Sequence, residues 1–317
     1  MNEYITEIIK NQKPYLKDAS VSQYVKSIER LSNKLKPEDE PVESFQFVKD
    51  ADAVQNFLSV FSFTTRRNYY SAIITLLQSE EKPDKVLIKQ YDTIVRETNK
   101  QYTEQNESMI VSEKQKDKLL KMDKIDMLLE ALKKEKSQME YILFKLLTLH
   151  QLRNEVATLR KITPTDYKKL SNEEKQGNNY LVVGTKKITI YRNDYKTNKK
   201  YGTIRFDITD KEFQKEFREY LDTLKNDIVF PYNNEIMTKK RLTNHLMYHS
   251  KKYIGVGIST TMLAKSVLSH KFATQQLEQK KEASIRGHSV GVQNLVYIKV
   301  LPEDVGNEEF TEEDVEE

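Results

Sequence analysis

The stretch RGHSVGVQNLVYIKV, residues 286–300, is where the reading of this chain turns. It sets His288 nine residues before Tyr297. Nine residues of unbroken α-helix turn two side chains about half a revolution apart, so the pair shares a site only if the helix carrying Tyr297 starts after His288. Ser289 as a capping residue and Gly291 as a permissive backbone position predict such a break.

Working back toward the N-terminus, the pattern predicts helices from Ser259 onward, over Lys239–Lys252, and over Lys211–Lys225, where Phe213, Phe217, Tyr220, Leu221 and Leu224 share one face. His245 and His249 are four apart and face the same way, as the histidines of zinc proteases do. Leu246 stands where the general-base Glu of the HExxH pattern belongs, so the pair reads as an ordinary helix face and no metal is expected. Between these helices and an apolar helical run, QMEYILFKLLTLHQLRNEVATLR (138–160), the period changes to that of strands at Tyr180–Val183, Ile188–Tyr191 and Thr203–Ile208, predicting a small antiparallel sheet. Asn193, Asp194, Asn198 and Gly202 supply turn formers before the last of them.

The first third carries helical patterning over DASVSQYVKSIERLSNKLKP (18–37), with Ser20 or Ser22 as cap and Pro37 as stop. Further helices are predicted around Ala53–Val60, from Thr64 or Thr65, and over Lys85–Thr98. Four such amphipathic helices can enclose one small core. The polar run 102–117 reads as a linker. The domain division expected is therefore 1–101 helical, 102–117 linker, 118–301 mixed α/β, and a C-terminal tail, 302–317; the fold class is mainly α with a small antiparallel sheet.

Composition narrows the function. The 317 residues include no cysteine, which removes disulfides, thiolate metal sites and a cysteine nucleophile. No apolar run approaches a membrane span and the N-terminus lacks a signal-peptide core, so no membrane partner and an intracellular setting are expected. The net charge of +4 hides a strong asymmetry: residues 302–317 hold nine acidic and no basic side chains, leaving 52 basic against 39 acidic, a net +13, on residues 1–301. A body that basic suits neutralisation of phosphates, and equally a lysine-rich solvated surface.

The 286–300 string resembles the C-terminal signature of tyrosine recombinases of the phage- and virus-integrase type, closest in style to those of large eukaryotic DNA viruses and related mobile elements. The resemblance extends over about 118–301. It implies a helical core-binding domain at 1–101, a catalytic domain at 118–301, and Tyr297 as nucleophile. Arg153 in LTLHQLRNEVATLR matches the family's arginine after an apolar helix, and Glu155 its following acidic residue. Lys196, in the hairpin NDYKTNKKYG, matches the lysine, with Lys199 and Lys200 as substitutes, and His288 matches the histidine of Gly-His-Ser. The implied reaction is site-specific integration or excision through a 3′-phosphotyrosyl intermediate, with double-stranded DNA as partner, four protomers on two sites, and neither cofactor nor metal. Alternatives are a type IB topoisomerase and a non-catalytic DNA-binding protein.

The chemistry requires these residue types. Attack of a phenolic oxygen on a phosphodiester develops negative charge on the non-bridging oxygens, which Arg153 and His288 would neutralise. By the resemblance Lys196 would protonate the leaving 5′ oxygen and Glu155 would orient its neighbours. One part departs from the family: in ISTTMLAKSVLSHKF the His-x-x-Arg positions fall on Thr261 and Ala264. An Ala where a charged donor belongs costs on the order of 10²-fold to 10³-fold in rate. Ala264 is read as an introduced Arg→Ala change. Compensation by Lys265, about 100° round the helix, and natural loss of catalysis are the other readings. The acidic tail reads first as a disordered, solubilising segment; its apolar Val305, Phe310 and Val315 permit another role, a contact with a neighbouring protomer through Phe310.

Overall fold

A computed structural model describes residues 2–37, 41 and 44–298 of the chain. The acidic tail 302–317, and with it Phe310, lies outside the described residues. The chain divides into two compact units, Met1–Val111 and Ser112–Glu317.

The first unit is helical: α1 (Asn2–Gln12), α2 (Asp18–Leu35), α3 (Ala51–Leu58), α4 (Phe63–Leu77) and α5 (Lys85–Glu107). The starts of the last three are written locally. Asp50, Ser62 and Asp84 stand at the N-caps and accept from Ala53 N, Thr65 N, and Val86 and Leu87 N. Ile5, Ile9, Ile28, Leu31, Ile73 and Leu76 close one core with Tyr91, whose hydroxyl donates to Val48 O at 2.7 Å.

Three expectations are corrected here. Helix α1 was not foreseen, though Ile5 and Ile9 bury one face of it. Helix α2 starts with Lys17 at its N-cap and no side-chain cap, so Ser20 and Ser22 lie within the helix. Helix α5 continues to Glu107, so residues 102–107 of the expected linker are its last turns. They carry no apolar stripe because they bury nothing. Exposed Lys, Gln and Glu are good helix formers, and the Lys100–Glu104 pair at four-residue spacing adds a little.

The second unit begins with α6 (Glu113–Lys116), α7 (Met122–Lys134) and α8 (Gln138–His150), then β1 (Leu159–Ile162), α9 (Pro164–Lys169), α10 (Asn172–Gly177), β2 (Asn179–Val183) and β3 (Ile188–Arg192). It continues with α11 (Asn198–Tyr201), β4 (Ile204–Asp207), α12 (Lys211–Asp222), the hairpin β5 (Pro231–Tyr232) and β6 (Glu235–Ile236), and α13 (Lys239–Ile254), α14 (Thr260–Arg286) and α15 (Val290–Val292). Mainly helical architecture with a small sheet is what the periodicities imply. The sheet, however, is mixed: β2–β3–β4 are antiparallel, and β1 joins β2 in parallel, Leu159 opposite Asn179. The run through Arg160 was expected to be helical. Instead Gln151 takes a left-handed conformation (φ 46°) that ends α8, and a 3₁₀ turn, Asn154–Thr158, leads into β1.

Aromatic rings of α12 fill the centre: Phe213, Phe217 and Tyr220 stack in series and Phe230 lies against the last two. Leu181, Ile188 and Ile190 meet them from the sheet, with Leu143 and Leu147 from α8 and Met262, Leu263 and Val267 from the first turns of α14. Beyond Val267 no residue of that helix is fully buried through Glu282. No helix among the described residues is long and apolar enough to cross a membrane.

Phe217 is fully buried at the centre of the aromatic series. Phe217→Ala is expected to cost about 3–5 kcal/mol, read as a lower urea midpoint at unchanged slope.

Candidate active site

Arg153 sits where the chain leaves α8. It is extended (φ −89°, ψ −174°) and exposed, on the edge of the Asn154–Thr158 turn. That turn is fixed from three sides. Asn154 Nδ2 donates to Thr243 Oγ1 in α13 at 3.0 Å, and Asn154 Oδ1 accepts from Thr260 Oγ1 in the first turn of α14 at 2.6 Å. Glu155, only 6% exposed, forms an ion pair with Arg192 at the end of β3. Arg153 is thus presented at a junction of α8, α13 and α14, and Ala264, half-buried, lies one turn beyond Thr260.

The loop carrying Lys196 is held to the same junction. Asn179 Oδ1 accepts from Asn193 N and Asp194 N, its Nδ2 donates to Asp194 O, and Tyr195 OH donates to Gly202 O. The Arg192 guanidinium lies 4.9 Å from the Tyr195 ring centroid, and Lys239 of α13 pairs with Asp194 at 3.6 Å. Lys196, Lys199 and Lys200 are all exposed on this loop. Lys265, next to Ala264, donates from Nζ to Gln115 Oε1 at 2.9 Å.

His288 and Tyr297 meet at the far end of α14. Gly287 (φ 73°) closes that helix, donating to Ser284 O while His288 N donates to Ala283 O; this Schellman arrangement satisfies its last carbonyls. Ser289 then caps α15, its Oγ accepting from Val292 N at 3.2 Å. The break falls where the sequence predicts it, but Gly287 rather than Gly291 supplies the left-handed residue. A single π-type turn, Gln293–Tyr297, follows and brings the rings together. The His288 and Tyr297 centroids are 4.9 Å apart at 13°, and the Arg286 guanidinium lies 5.0 Å from the Tyr297 ring centroid. Tyr297 is half exposed, and His288 Nε2 is shielded without a hydrogen-bond partner among the described residues.

The expected residues therefore fall into two groups. Arg153, Glu155 and Ala264 share the junction, and the Lys196 loop is tied to it. His288 and Tyr297 share the tip of α14. Twenty-two residues of helix separate Ala264 from Arg286, about 33 Å at the α-helical rise, so the phenol is not beside Arg153 of its own chain in this conformation.

Two further features were not read from the sequence. Arg192 is the partner of Glu155, and the signal for it was the carboxylate itself, since a buried acidic side chain requires a counter-charge. Glu140, in the first turn of α8, lies against His245 and His249: its Oε1 is 3.1 Å from His245 Nε2 and 3.7 Å from His249 Nε2. Burial works to raise the Glu140 carboxyl, but the hydrogen bond with His245 and the imidazole charges outweigh it and leave it lowered. Burial and the neighbouring His245 lower the His249 imidazole.

No protein-family profile matches the chain, and no curated protein matches it. Solved structures similar to it include the XerA recombinase, at 15% identity over 96% of this chain and 95% of that one, with a TM-score of 0.33. Two others are structures of the XerH site-specific recombinase bound to its difH substrate, each at 12% identity. The pre-cleavage complex covers 94% of this chain and 85% of that one at a TM-score of 0.45, and the post-cleavage complex 90% and 75% at 0.44. Similarity this low leaves function to be argued from the chain's own residues.

Glu155→Gln leaves the Arg192 guanidinium buried without a counter-charge and is expected to destabilise the second unit by about 3 kcal/mol. A Glu155→Gln/Arg192→Met double variant should regain part of that in the same denaturation measurement. Burial also lowers His150, with Lys271 adding to it. Because His150 and His249 resist protonation when folded, the unfolded state takes up protons first as pH falls below about 6.5. Stability should therefore decline from pH 7 toward pH 5, and His150→Leu should flatten part of that decline.

Proposed function

We propose that this chain is a tyrosine recombinase that cuts and rejoins double-stranded DNA at defined sites through a 3′-phosphotyrosyl intermediate. The observation that carries the reading is the His288–Tyr297 pair: a half-exposed phenol stacked on an imidazole whose Nε2 has no hydrogen-bond partner among the described residues, presented by a two-part helix break. Nothing in packing demands that arrangement, since Tyr297 contributes to no core.

In this reading the Tyr297 oxygen bonds to phosphorus, the P–O5′ bond breaks, the phenolic proton passes to water, and His288 serves as a donor to a non-bridging oxygen. Arg153, an exposed planar fork of donors, neutralises the non-bridging oxygens. Lys196 delivers a proton to the departing 5′ oxygen, the role the resemblance gives it. Glu155 acts indirectly: its pairing with Arg192 holds the Arg153 turn against the sheet.

The roughly 33 Å of helix between Ala264 and the tyrosine bears on assembly. An α14 with no fully buried residue from Leu268 to Glu282 suits delivery of the nucleophile to a neighbouring protomer, in keeping with four protomers acting on two sites. The alanine at 264 removes one donor from the phosphate site and is expected to leave the chain as it stands slow. It also favours a second reading, a DNA binder without catalysis.

A nicked suicide substrate separates these. Covalent protein–DNA adduct on Tyr297, absent in Tyr297→Phe and increased about 10²-fold to 10³-fold by Ala264→Arg, is the expected result. No adduct from either the chain or Ala264→Arg means a binder. In the Ala264→Arg background, Arg153→Ala and Tyr297→Phe should each be inactive alone, and mixing them should restore adduct if the tyrosine acts on a neighbour. An active Ala264→Arg parent with an inactive mixture means that α14 bends to serve its own site.

A further inference from the structure

We infer that Glu140, His245 and His249 form a zinc-binding site joining α8 to α13, separate from the DNA chemistry and independent of that reading. One oxygen, Glu140 Oε1, faces the Nε2 atoms of both imidazoles at 3.1 and 3.7 Å, and one ligand atom from each residue lies within 4.8 Å of the others. Zinc bonds to nitrogen and carboxylate oxygen are about 2.0–2.2 Å, which places tetrahedral ligand atoms about 3.3–3.5 Å apart. The cluster is therefore already near the spacing that an ion requires, and small side-chain shifts complete it.

The placement has a cause in the backbone. Four-residue spacing on α13 puts both rings on one helix face, with centroids 4.4 Å apart. Glu140, 105 residues earlier, enters from the first turn of α8. All three side chains are 13–16% exposed, sheltered enough to exclude most solvent and open enough to admit an ion and a water as fourth ligand. A hydrogen bond alone accounts for His245. It does not account for a second imidazole aimed at the same oxygen, whereas two neutral nitrogens and one carboxylate are a common ligand set for zinc.

The residue after His245 is Leu246, fully buried, where zinc proteases carry their general base. The HExxH arrangement of zinc proteases is therefore not formed, and the role the placement supports is to join two helices. The site would pin together the helix that ends just before Arg153 and the helix whose Thr243 holds Asn154.

The test uses the full chain, freed of any affinity tag and stripped with chelator, and titrated with Zn²⁺ alone by calorimetry. One equivalent should bind with a Kd below micromolar, and the thermal midpoint should climb with free zinc. Glu140→Gln and His249→Ala should each weaken binding by at least 100-fold, while His270→Ala, an exposed histidine elsewhere on α14, should not. Should those variants fail to fold, Co²⁺ added to the unaltered chain should give the intense visible absorption of tetrahedral cobalt, bleached by one equivalent of Zn²⁺. Millimolar binding by the folded chain, equal binding by His249→Ala, or only the faint absorption of octahedral cobalt would each overturn the assignment. DNA-cleavage activity enters none of these readouts, so they stand whether or not Tyr297 is a nucleophile.

Discussion

A carboxylate taken out of water must find a counter-charge, and in the second unit that requirement organises everything around Arg153. Glu155 is inaccessible because the turn that carries it lies between the end of α8 and the sheet. Its partner has to come from the sheet's own end, and Arg192 at the last position of β3 supplies it. Once that pair forms, the 3₁₀ turn has one orientation, and Asn154 on its edge can reach Thr243 and Thr260 together. The exposed Arg153 is the residue left over, fixed by neighbours that use every other group of the turn. A pair of this kind is weak as a source of net stability, since desolvation offsets much of the attraction. Its contribution is positional: it selects one arrangement of α8, β3 and the two following helices.

How much of this could be read in advance follows from range. The break between His288 and Tyr297 was legible because capping is local: a serine accepting from an amide three residues on needs no other part of the chain. The antiparallel strands β2, β3 and β4 were legible for the same reason, their runs being bounded by turn formers. Strand β1 was not, because Leu159 and Ile162 continue a helical-looking pattern from α8, and only the left-handed Gln151 and the parallel pairing with β2 convert the segment. The end of α5 escaped notice for the opposite reason: its last turns are helical without an apolar stripe.

Glu140 illustrates the hardest case. Two histidines at four-residue spacing are visible in any sequence, but their third partner sits more than 100 positions away in an apolar helix and has no motif of its own. Arg192 is similar. In both instances the readable clue was an unpaired requirement, a buried charge or a lone ring pair, and the fold alone identified the group that meets it.

Spacing in sequence also gives order without distance. Arg153, Lys196, Ala264, His288 and Tyr297 occur in the order the resemblance demands, yet most of one uninterrupted helix lies between the first three and the last two. For an enzyme that would hold DNA ends covalently, such a separation has a chemical consequence. A protomer whose phenol stands away from its own arginine cannot by itself assemble attacking oxygen, charge stabiliser and proton donor around one phosphorus. Effective molarity is then near zero in the isolated chain and rises only when a second copy, or a bent α14, brings the groups to within about 3–3.5 Å of attack geometry. Strand cleavage would thus be tied to the same event that aligns two duplexes, and an unpaired protomer bound to DNA would leave the backbone intact. Under the proposed reading the constraint lies in the length of α14 between Ala264 and Arg286 rather than in any side chain of the site, and changes to that helix between Leu268 and Glu282 would alter the timing of cleavage while leaving the reacting groups in place.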